Sequence, residues 1–304
     1  MFEVLTPHTV NEALEALASG GNVVPLAGGT DLMVGLEAGT IPPCTFLNLQ
    51  ELVELRLALS ANGELKLGAL TTYRDVRTSP IRTTYPMLAL AAREVGSLAI
   101  QSRGTWAGNI INASPAADGV PALMAYDAEV ELASKAGLRR LPLSQFYRGY
   151  KQMDRRPDEL LVAIRVPDPG PGWAEYYRKV GARRFQAISK TLLAGRILLN
   201  ADRVVQDIRL IFASVAPFTL RAIKTESLLR GRQLSAELIA EAGRAIQDEI
   251  HPIDDIRSTE NYRRQVTSNL IADFLTKSLS NSSICSLADL ASLERDDLGG
   301  DGSQ

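Results

Sequence analysis

Cysteine and histidine are scarce in this 304-residue chain, and their scarcity excludes several kinds of chemistry. The two cysteines, Cys44 and Cys285, are too few for a cysteine-ligated iron–sulfur cluster, which takes about four. They also provide no disulfide framework, as expected in a reducing cytoplasm. The two histidines, His8 and His251, lie near predicted helix ends, so zinc hydrolysis and Ser-His-Asp catalysis lack their usual residues. A protein of this composition can still be an enzyme if a cofactor carries its chemistry.

Long apolar runs and an excess of one charge are also missing. No stretch of about eighteen apolar residues occurs, which argues against a membrane span. The amino terminus, "MFEVLTPHTV", lacks the basic and then apolar pattern of a signal peptide. The net charge is −2, and no basic block alternates with aromatic residues, which argues against nucleic-acid binding. We therefore expect an ordinary globular protein of the cytoplasm.

Helix and strand patterns are mixed along the first half of the chain. "HTVNEALEALASGG" predicts an amphipathic helix that Thr9 caps and that Gly20 and Gly21 end. "NVVPLAG" predicts a short strand, and Asn62-Gly63 predicts the turn of a hairpin. "DAEVELAS" and "DELLVAIRVP" have the alternating character of further strands. Because strands and helices do not alternate strictly, the pattern favours an α+β fold over a doubly wound α/β fold.

The Pro/Gly stretch "PDPGPGW", residues 167–173, predicts a domain boundary. Long strand patterns follow it, and then helices are predicted at about 219–230, 235–250 and 258–279. The polar and acidic residues 282–304 are predicted to be a loosely ordered or docking tail.

Two glycine-rich stretches indicate a bound ligand. In "PLAGGTDLMV", residues 25–34, the adjacent glycines do not fit G-x-G-x-x-G, so a Rossmann site is excluded. A glycine pair after a strand is, by itself, more often a tight turn. The second stretch, residues 101–132, contains "RGTWAGNIINASPAADG", rich in small, hydroxyl and amide residues. Two such loops suit one extended ligand held at both ends, with backbone amides and hydroxyls toward phosphate.

"LAGGTDLMV" and "RGTWAGNIINASPAAD" together resemble the FAD-binding medium subunit of the molybdenum hydroxylases, the family of xanthine dehydrogenase and carbon monoxide dehydrogenase. The resemblance continues through "DELLVAIRVP" and "YYRKVGARRFQAISK" and covers residues 2–280. It implies an FAD-binding domain of the vanillyl-alcohol-oxidase/PCMH type, and then a smaller domain with a three-stranded sheet and helices. The expected boundaries are 1–172, with subdomains 1–55 and 56–172, then 173–281 and the tail 282–304.

The resemblance also implies the cofactor-binding residues. In the first loop these are Pro25, Leu26, Ala27, Gly28, Gly29, Thr30, Asp31 and Leu32, which would wrap the diphosphate. In the second loop Thr105, Gly108, Asn109, Ser114 and Asp118 would contact the diphosphate, ribityl and flavin region. Leu161 would lie against the flavin, and Lys179 would approach its polar edge. The residues alone also allow Leu161 to be ordinary core and Lys179 to be a surface charge.

This chain departs from the family pattern where "TWAGN" has Ala107 in place of a usual glycine and Trp106 in place of a smaller residue. We expect Ala107 to cost little if its φ is negative, and Trp106 to be buried bulk rather than a wall beside the flavin. No catalytic acid–base residue and no metal site are expected on this chain.

In the family, a molybdenum–pterin centre on a large subunit oxidises the substrate, and two [2Fe–2S] clusters on a small subunit pass electrons to FAD on the medium subunit. The resemblance thus implies both partners and a dimer of heterotrimers. The final acceptor stays open among NAD, quinone, oxygen and a protein carrier. The basic pair Arg183 and Arg184 does not decide between them, because it fits a positive charge near the flavin and an ordinary solvated pair equally well. Two alternatives are a self-contained FAD oxidoreductase, like the reductase of peptidoglycan nucleotide synthesis, and a scaffold subunit without FAD.

Overall fold

The computed structural model describes residues 1–56, 58–61, 63–183 and 186–280. Four features of the sequence analysis lie outside these residues, namely Asn62, Arg184, Cys285 and the tail 282–304.

The chain begins with a small parallel sheet. Its elements are β1 (Glu3–Leu5), α1 (Val10–Ala18), β2 (Val23–Leu26), α2 (Leu32–Glu37) and β3 (Thr45–Asn48). The strands are hydrogen-bonded in the order β1-β3-β2, and each helix forms a crossover between parallel strands. The Thr9 hydroxyl accepts a hydrogen bond from the amide of Glu12, as the capping pattern predicts. Strand β2 ends at Leu26, just before the Gly28-Gly29 turn.

An antiparallel sheet with a helical layer follows. Its strands are β4 (Ala58–Ala61), β5 (Glu64–Gly68), β6 (Glu129–Ser134), β7 (Gly137–Pro142) and β10 (Leu160–Pro167), in the order β4-β5-β10-β6-β7. A separate hairpin consists of β8 (Tyr147–Gly149) and β9 (Gln152–Met153). The helices are α3 (Tyr73–Arg77), α4 (Ile81–Thr84), α5 (Pro86–Glu94), α6 (Leu98–Arg103), α7 (Trp106–Asn112) and α8 (Gly119–Ala125). Single 3₁₀ turns occupy Val53–Arg56 and Leu143–Gln145.

The C-terminal part combines one sheet with three helices in the described residues. Its elements are β11 (Trp173–Val180), β12 (Thr191–Leu199), β13 (Val205–Ala213), β14 (Leu220–Arg221), α9 (Ile223–Leu229), α10 (Ala236–Ala245) and α11 (Glu260–Leu279), with a 3₁₀ turn at Ile246–Asp248. The strands are antiparallel in the order β11-β12-β13-β14. The three long strands agree with the predicted sheet, and the two-residue β14 is an addition at its edge.

Strand β12 is buried on both of its faces. Leu192 and Ala194 pack into the apolar core that also contains the first two sheets and their helices. Leu193 and Ile197 pack into a second core, with Phe274 of α11. Successive side chains of a strand point to opposite faces, so this one strand contributes to both cores. The mixed sheets and helices confirm the α+β class. Among residues 1–56, 58–61, 63–183 and 186–280, no helix has the length and apolar character that a membrane crossing requires.

Candidate functional site

The two glycine-rich loops line one cleft of about 640 Å³, a size typical of ligand sites. Strand β2 and the turn after it form one wall, and α7 forms another. The cleft therefore brings together residues that lie some eighty positions apart in the sequence. Most of the predicted cofactor-binding residues line it, namely Pro25, Ala27, Gly28, Gly29, Thr30, Asp31, Leu32, Thr105, Gly108, Asn109 and Leu161.

Four predicted residues do not line this cleft. Leu26 pairs with Asn48 inside the parallel sheet, and the Ser114 hydroxyl accepts a hydrogen bond from the amide of Ala116. Asp118 and Lys179 form an ion pair with each other, with 2.7 Å between Oδ2 and Nζ.

The glycine pair has two different physical roles. A β-carbon on Gly28 would lie 2.0 Å from the carbonyl oxygen of Arg103, so only glycine lets the first loop pass this close to the second. Gly29 has a φ of +74°, a conformation that strains other residues. The close approach at Gly28 is thus between two backbone segments, and Gly29 turns the chain at positive φ.

The backbone amides of residues 28–32 have no protein acceptor in the described part of the chain. The carbonyls of Gly29 and Asp31 are used, because they accept hydrogen bonds from Met33 and Gly35 as α2 begins. Consecutive free N–H groups beside a cleft, at the start of a helix, form a favourable site for an anion.

Helix α7 begins at the second wall of the cleft. The Thr105 hydroxyl accepts a hydrogen bond of 2.9 Å from the amide of Gly108 and so caps the helix. The Asn109 side chain accepts one of 3.2 Å from the amide of Gly119, where α8 starts. Ala107 is helical and lines the cleft, so alanine in place of the usual glycine causes no backbone strain.

Trp106 is fully buried in the core and lies outside the cleft lining. Its ring packs on Tyr73, with 4.9 Å between the ring centroids. This agrees with the interpretation of Trp106 as buried bulk.

Leu161 is only 3 % exposed and lines the cleft, so it is both a core residue and a wall of the site.

The Lys179 side chain is only 5 % exposed, so the alternative interpretation of Lys179 as a surface charge is wrong. Its Nζ donates to Asp118 Oδ2 and to the carbonyl oxygen of Glu94 at 2.9 Å. Burial raises the pKa of Asp118 to about 6, although the Lys179 ammonium opposes this shift. Asp118 Oδ1 is buried without a hydrogen-bond partner in the described part of the chain.

Two cations of the cleft, Lys151 and Arg155, are not among the residues predicted from the sequence. The Lys151 ammonium lies 3.3 Å from Oδ1 of Asn112, whose Nδ2 lies 3.1 Å from Oδ1 of Asp31. The available signal was "RGYKQMDRR", residues 148–156, a basic stretch that follows the second loop. Its pattern alone does not distinguish a cleft residue from an ordinary solvated charge.

Comparison with known families agrees with this geometry. Residues 1–169 match the family described as the FAD binding domain in molybdopterin dehydrogenase. Residues 175–278 match the family described as the CO dehydrogenase flavoprotein C-terminal domain.

Individual relatives align over nearly the whole chain. The glyceraldehyde dehydrogenase medium chain of Sulfolobus acidocaldarius is 30% identical over 270 residues, which are 88% of this chain and 95% of that protein. The putative xanthine dehydrogenase FAD-binding subunit of Escherichia coli is 25% identical over 285 residues, 92% of this chain and 97% of that protein. A solved structure of carbon monoxide dehydrogenase from Hydrogenophaga pseudoflava, which lacks the Mo-pyranopterin moiety of its molybdenum cofactor, superimposes with a TM-score of 0.86 at 27% identity. The superposition covers 90% of this chain and 96% of the other. The chain therefore belongs to the molybdopterin dehydrogenase flavoprotein family and is an FAD-binding oxidoreductase subunit.

Proposed function

We propose that this chain holds FAD in the cleft between its two glycine-rich loops and transfers electrons through it within a multi-subunit complex. A small partner subunit with two [2Fe–2S] clusters supplies the electrons, and a large molybdopterin subunit oxidises the substrate. The complete assembly is a dimer of heterotrimers in the cytoplasm. The run of free amides at residues 28–32, beside a cleft of about 640 Å³, is the observation that carries this proposal.

The residues of the cleft fit FAD in three respects. The free amides of residues 28–32 would hold the diphosphate, because N–H groups that lack protein acceptors neutralise phosphate oxygens. Thr105, Gly108 and Asn109, at the start of α7, would hold the central part of the cofactor. Leu161 supplies an apolar wall against which an aromatic ring system can pack.

Lys179 would approach the polar edge of the flavin, as the resemblance implies, although in the cleft as described neither Lys179 nor its partner Asp118 is a lining residue. Among the described residues Asp118 Oδ1 is a buried acceptor without a donor, and Lys179 is a buried cation that donates to Asp118 and to the Glu94 carbonyl. When bound, FAD supplies the redox chemistry, because a flavin accepts electrons singly and delivers them in pairs. The protein's own task is to place the cofactor and to keep these two charges in position.

The first test is the visible spectrum of the purified full-length chain and the identification of its released chromophore. Bound FAD would absorb near about 370 and 450 nm, as oxidised flavins do. If neither the chain nor its complete complex contained FAD, the scaffold interpretation would replace this proposal.

A matched pair of glycine substitutions then tests the site. Gly29 and Gly231 have nearly the same positive φ, +74° and +75°, but only Gly29 lines the cleft. Gly29→Ala and Gly231→Ala should each cost about 1–2 kcal/mol of unfolding free energy, the usual penalty for a side chain in this conformation. Only Gly29→Ala should also lower the affinity for FAD, by about tenfold. Equal FAD affinities in the two variants would argue against the proposed site.

A further inference from the structure

The hairpin β8–β9 and the segment after it contain more cations than their carboxylates can pair. Arg139 pairs with Glu159, with 2.6 Å between Nε and Oε1. Arg148 pairs with Asp154, and Arg156 lies 3.0 Å from Glu159. The acidic groups of this region thus already neutralise the arginines that lie outside the cleft lining.

The two cations that line the cleft have no such partner. In the described part of the chain neither Lys151 nor Arg155 forms an ion pair with a carboxylate. Nη1 of Arg155 donates to the carbonyl oxygens of Glu159, at 2.7 Å, and of Arg156, at 3.2 Å. Its Nε is buried with no acceptor among the described residues. The Arg155 side chain lines the cleft, so an anion bound there would lie beside a guanidinium that forms no ion pair with a described carboxylate.

The Lys151 ammonium lines the cleft and is linked to the first loop through side chains. Lys151 donates to Asn112, and Asn112 donates to the carboxylate of Asp31, whose own backbone amide is one of the free amides. This chain of two hydrogen bonds joins the hairpin, the end of α7 and the first loop. Asp31 and Asn112 are therefore positioning residues for the lysine.

We propose that Lys151 and Arg155 bind the diphosphate of FAD together with the amides of residues 28–32. This inference rests on the proposed function, because it assumes that FAD occupies the cleft. The physical reason is charge: the diphosphate is doubly anionic, and the amides offer only partial positive charge. An ammonium and a guanidinium that lack carboxylate partners can form charge-assisted hydrogen bonds with the phosphate oxygens.

The test compares FAD with riboflavin, which lacks both the diphosphate and the adenosine of FAD. The full-length chain, freed of cofactor, is titrated with FAD and with riboflavin, which has no phosphate, and flavin fluorescence reports binding. Lys151→Gln should raise the Kd for FAD about tenfold, which corresponds to about 1.4 kcal/mol, and leave the Kd for riboflavin unchanged. It should also weaken the dependence of FAD affinity on salt, because one charge pair is lost. Lys151→Arg keeps the charge and should restore most of the affinity.

Arg148 provides the matched control, because it lies on the same hairpin, is paired with Asp154 and does not line the cleft. Arg148→Gln should leave the FAD affinity unchanged. Arg155→Gln should weaken FAD binding about tenfold, and Arg155→Lys should retain part of it, with thermal unfolding checking that both variants fold.

Three outcomes would overturn the inference, and they are distinguishable. Wild-type binding of FAD in both Lys151→Gln and Arg155→Gln would show that these charges do not contact the diphosphate. An equal loss of FAD and riboflavin affinity would assign both residues a structural role. Failure of the wild-type chain and of its complex to bind FAD would overturn the proposed function itself, and this inference with it.

Discussion

Gly28 in the first loop and Gly195 in β12 both stand where a β-carbon would collide with a neighbour, but the neighbours differ. At Gly28 the nearest atom would be the backbone oxygen of Arg103, at 2.0 Å. At Gly195 it would be Cε1 of the Phe274 ring, at 2.6 Å. The first glycine brings two loops together beside an open cleft, whereas the second lets a helix lie close to a sheet in a filled core.

Glycine therefore contributes to ligand binding in the first region and to core packing in the second. Near Gly28 the amides of residues 28–32 find no protein acceptor within the described ranges, which is tolerable only where a ligand or water can accept their hydrogen bonds. Around Gly195 the strand is paired on both sides, and its faces are covered by two apolar cores. Substitutions in the two regions should therefore separate cofactor binding from stability.

The largest effect is expected from Gly28→Ala. Because its β-carbon would meet a backbone atom, neighbouring loops must move, and we expect a loss of about 3 kcal/mol or more together with loss of bound FAD. Urea unfolding and the FAD content of the purified chain measure the two effects. Normal FAD content in Gly28→Ala would contradict the role of Gly28 in forming the cofactor cleft.

Gly195→Ala is the counterpart in the C-terminal sheet. We expect a loss of about 1–3 kcal/mol from overpacking against Phe274, with FAD affinity unchanged. Adding Phe274→Leu should recover part of the stability, since the smaller side chain relieves the collision. A loss of FAD affinity in Gly195→Ala would contradict the separation of the two roles.

Asp118, which pairs with Lys179, gives a pH-dependent effect. Burial raises the pKa of its carboxyl from 3.8 to about 6, so the folded chain retains this proton to a higher pH than the unfolded chain. The stability that this proton provides is present below about pH 4 and is lost as the pH rises through 6, by about 3 kcal/mol in total.

Comparison with Asp118→Asn isolates this contribution, because asparagine does not titrate. The stability of the wild type relative to this variant should fall between pH 4 and pH 7 in urea unfolding of the full-length chain. A constant difference across this range would show that the pKa of Asp118 is not raised.

The smallest effect is expected at two helix caps. Thr105 caps α7 beside the cleft, and Thr259 caps α11 in the C-terminal part, where its hydroxyl accepts from the amide of Tyr262 at 3.3 Å. Each substitution to alanine should cost about 1 kcal/mol of unfolding free energy. Only Thr105→Ala should also weaken FAD binding, a few-fold, because it loosens Gly108 in the cleft wall. Similar FAD titrations for both variants would limit the role of Thr105 to stability.

The sequence predicted helices and strands well where their determinants lie within a few residues of each other. The Thr9 cap, the strand "NVVPLAG" and the long helix ending at Leu279 occur as predicted, because capping, alternation and helical periodicity act over a few residues. The family and FAD-binding role were likewise confirmed. The short strand β14 was not predicted, because two residues carry too little pattern.

The functional residues were predicted from motif resemblance more than from chemistry. Eleven of the fifteen predicted cofactor-binding residues line the cleft, and their contacts with FAD stay predictions. Lys179 could not be distinguished from a surface lysine, because its burial depends on Asp118, sixty-one positions away. Lys151 and Arg155 were missed for a similar reason, since whether a cation has a carboxylate partner depends on three-dimensional neighbours.

Composition and motifs predicted the class of this protein: too few cysteines for an iron–sulfur cluster, too few histidines for zinc hydrolysis or Ser-His-Asp catalysis, an α+β pattern, and two glycine-rich loops of a known flavoprotein family. The tertiary structure alone decided which glycine serves backbone contact, which amides lack protein acceptors and which charges are buried or unpaired. The two kinds of property differ in the separation along the chain of the residues that determine them. Capping and periodicity are set by neighbours along the chain, whereas burial, collision and charge pairing are set by residues that only folding brings together.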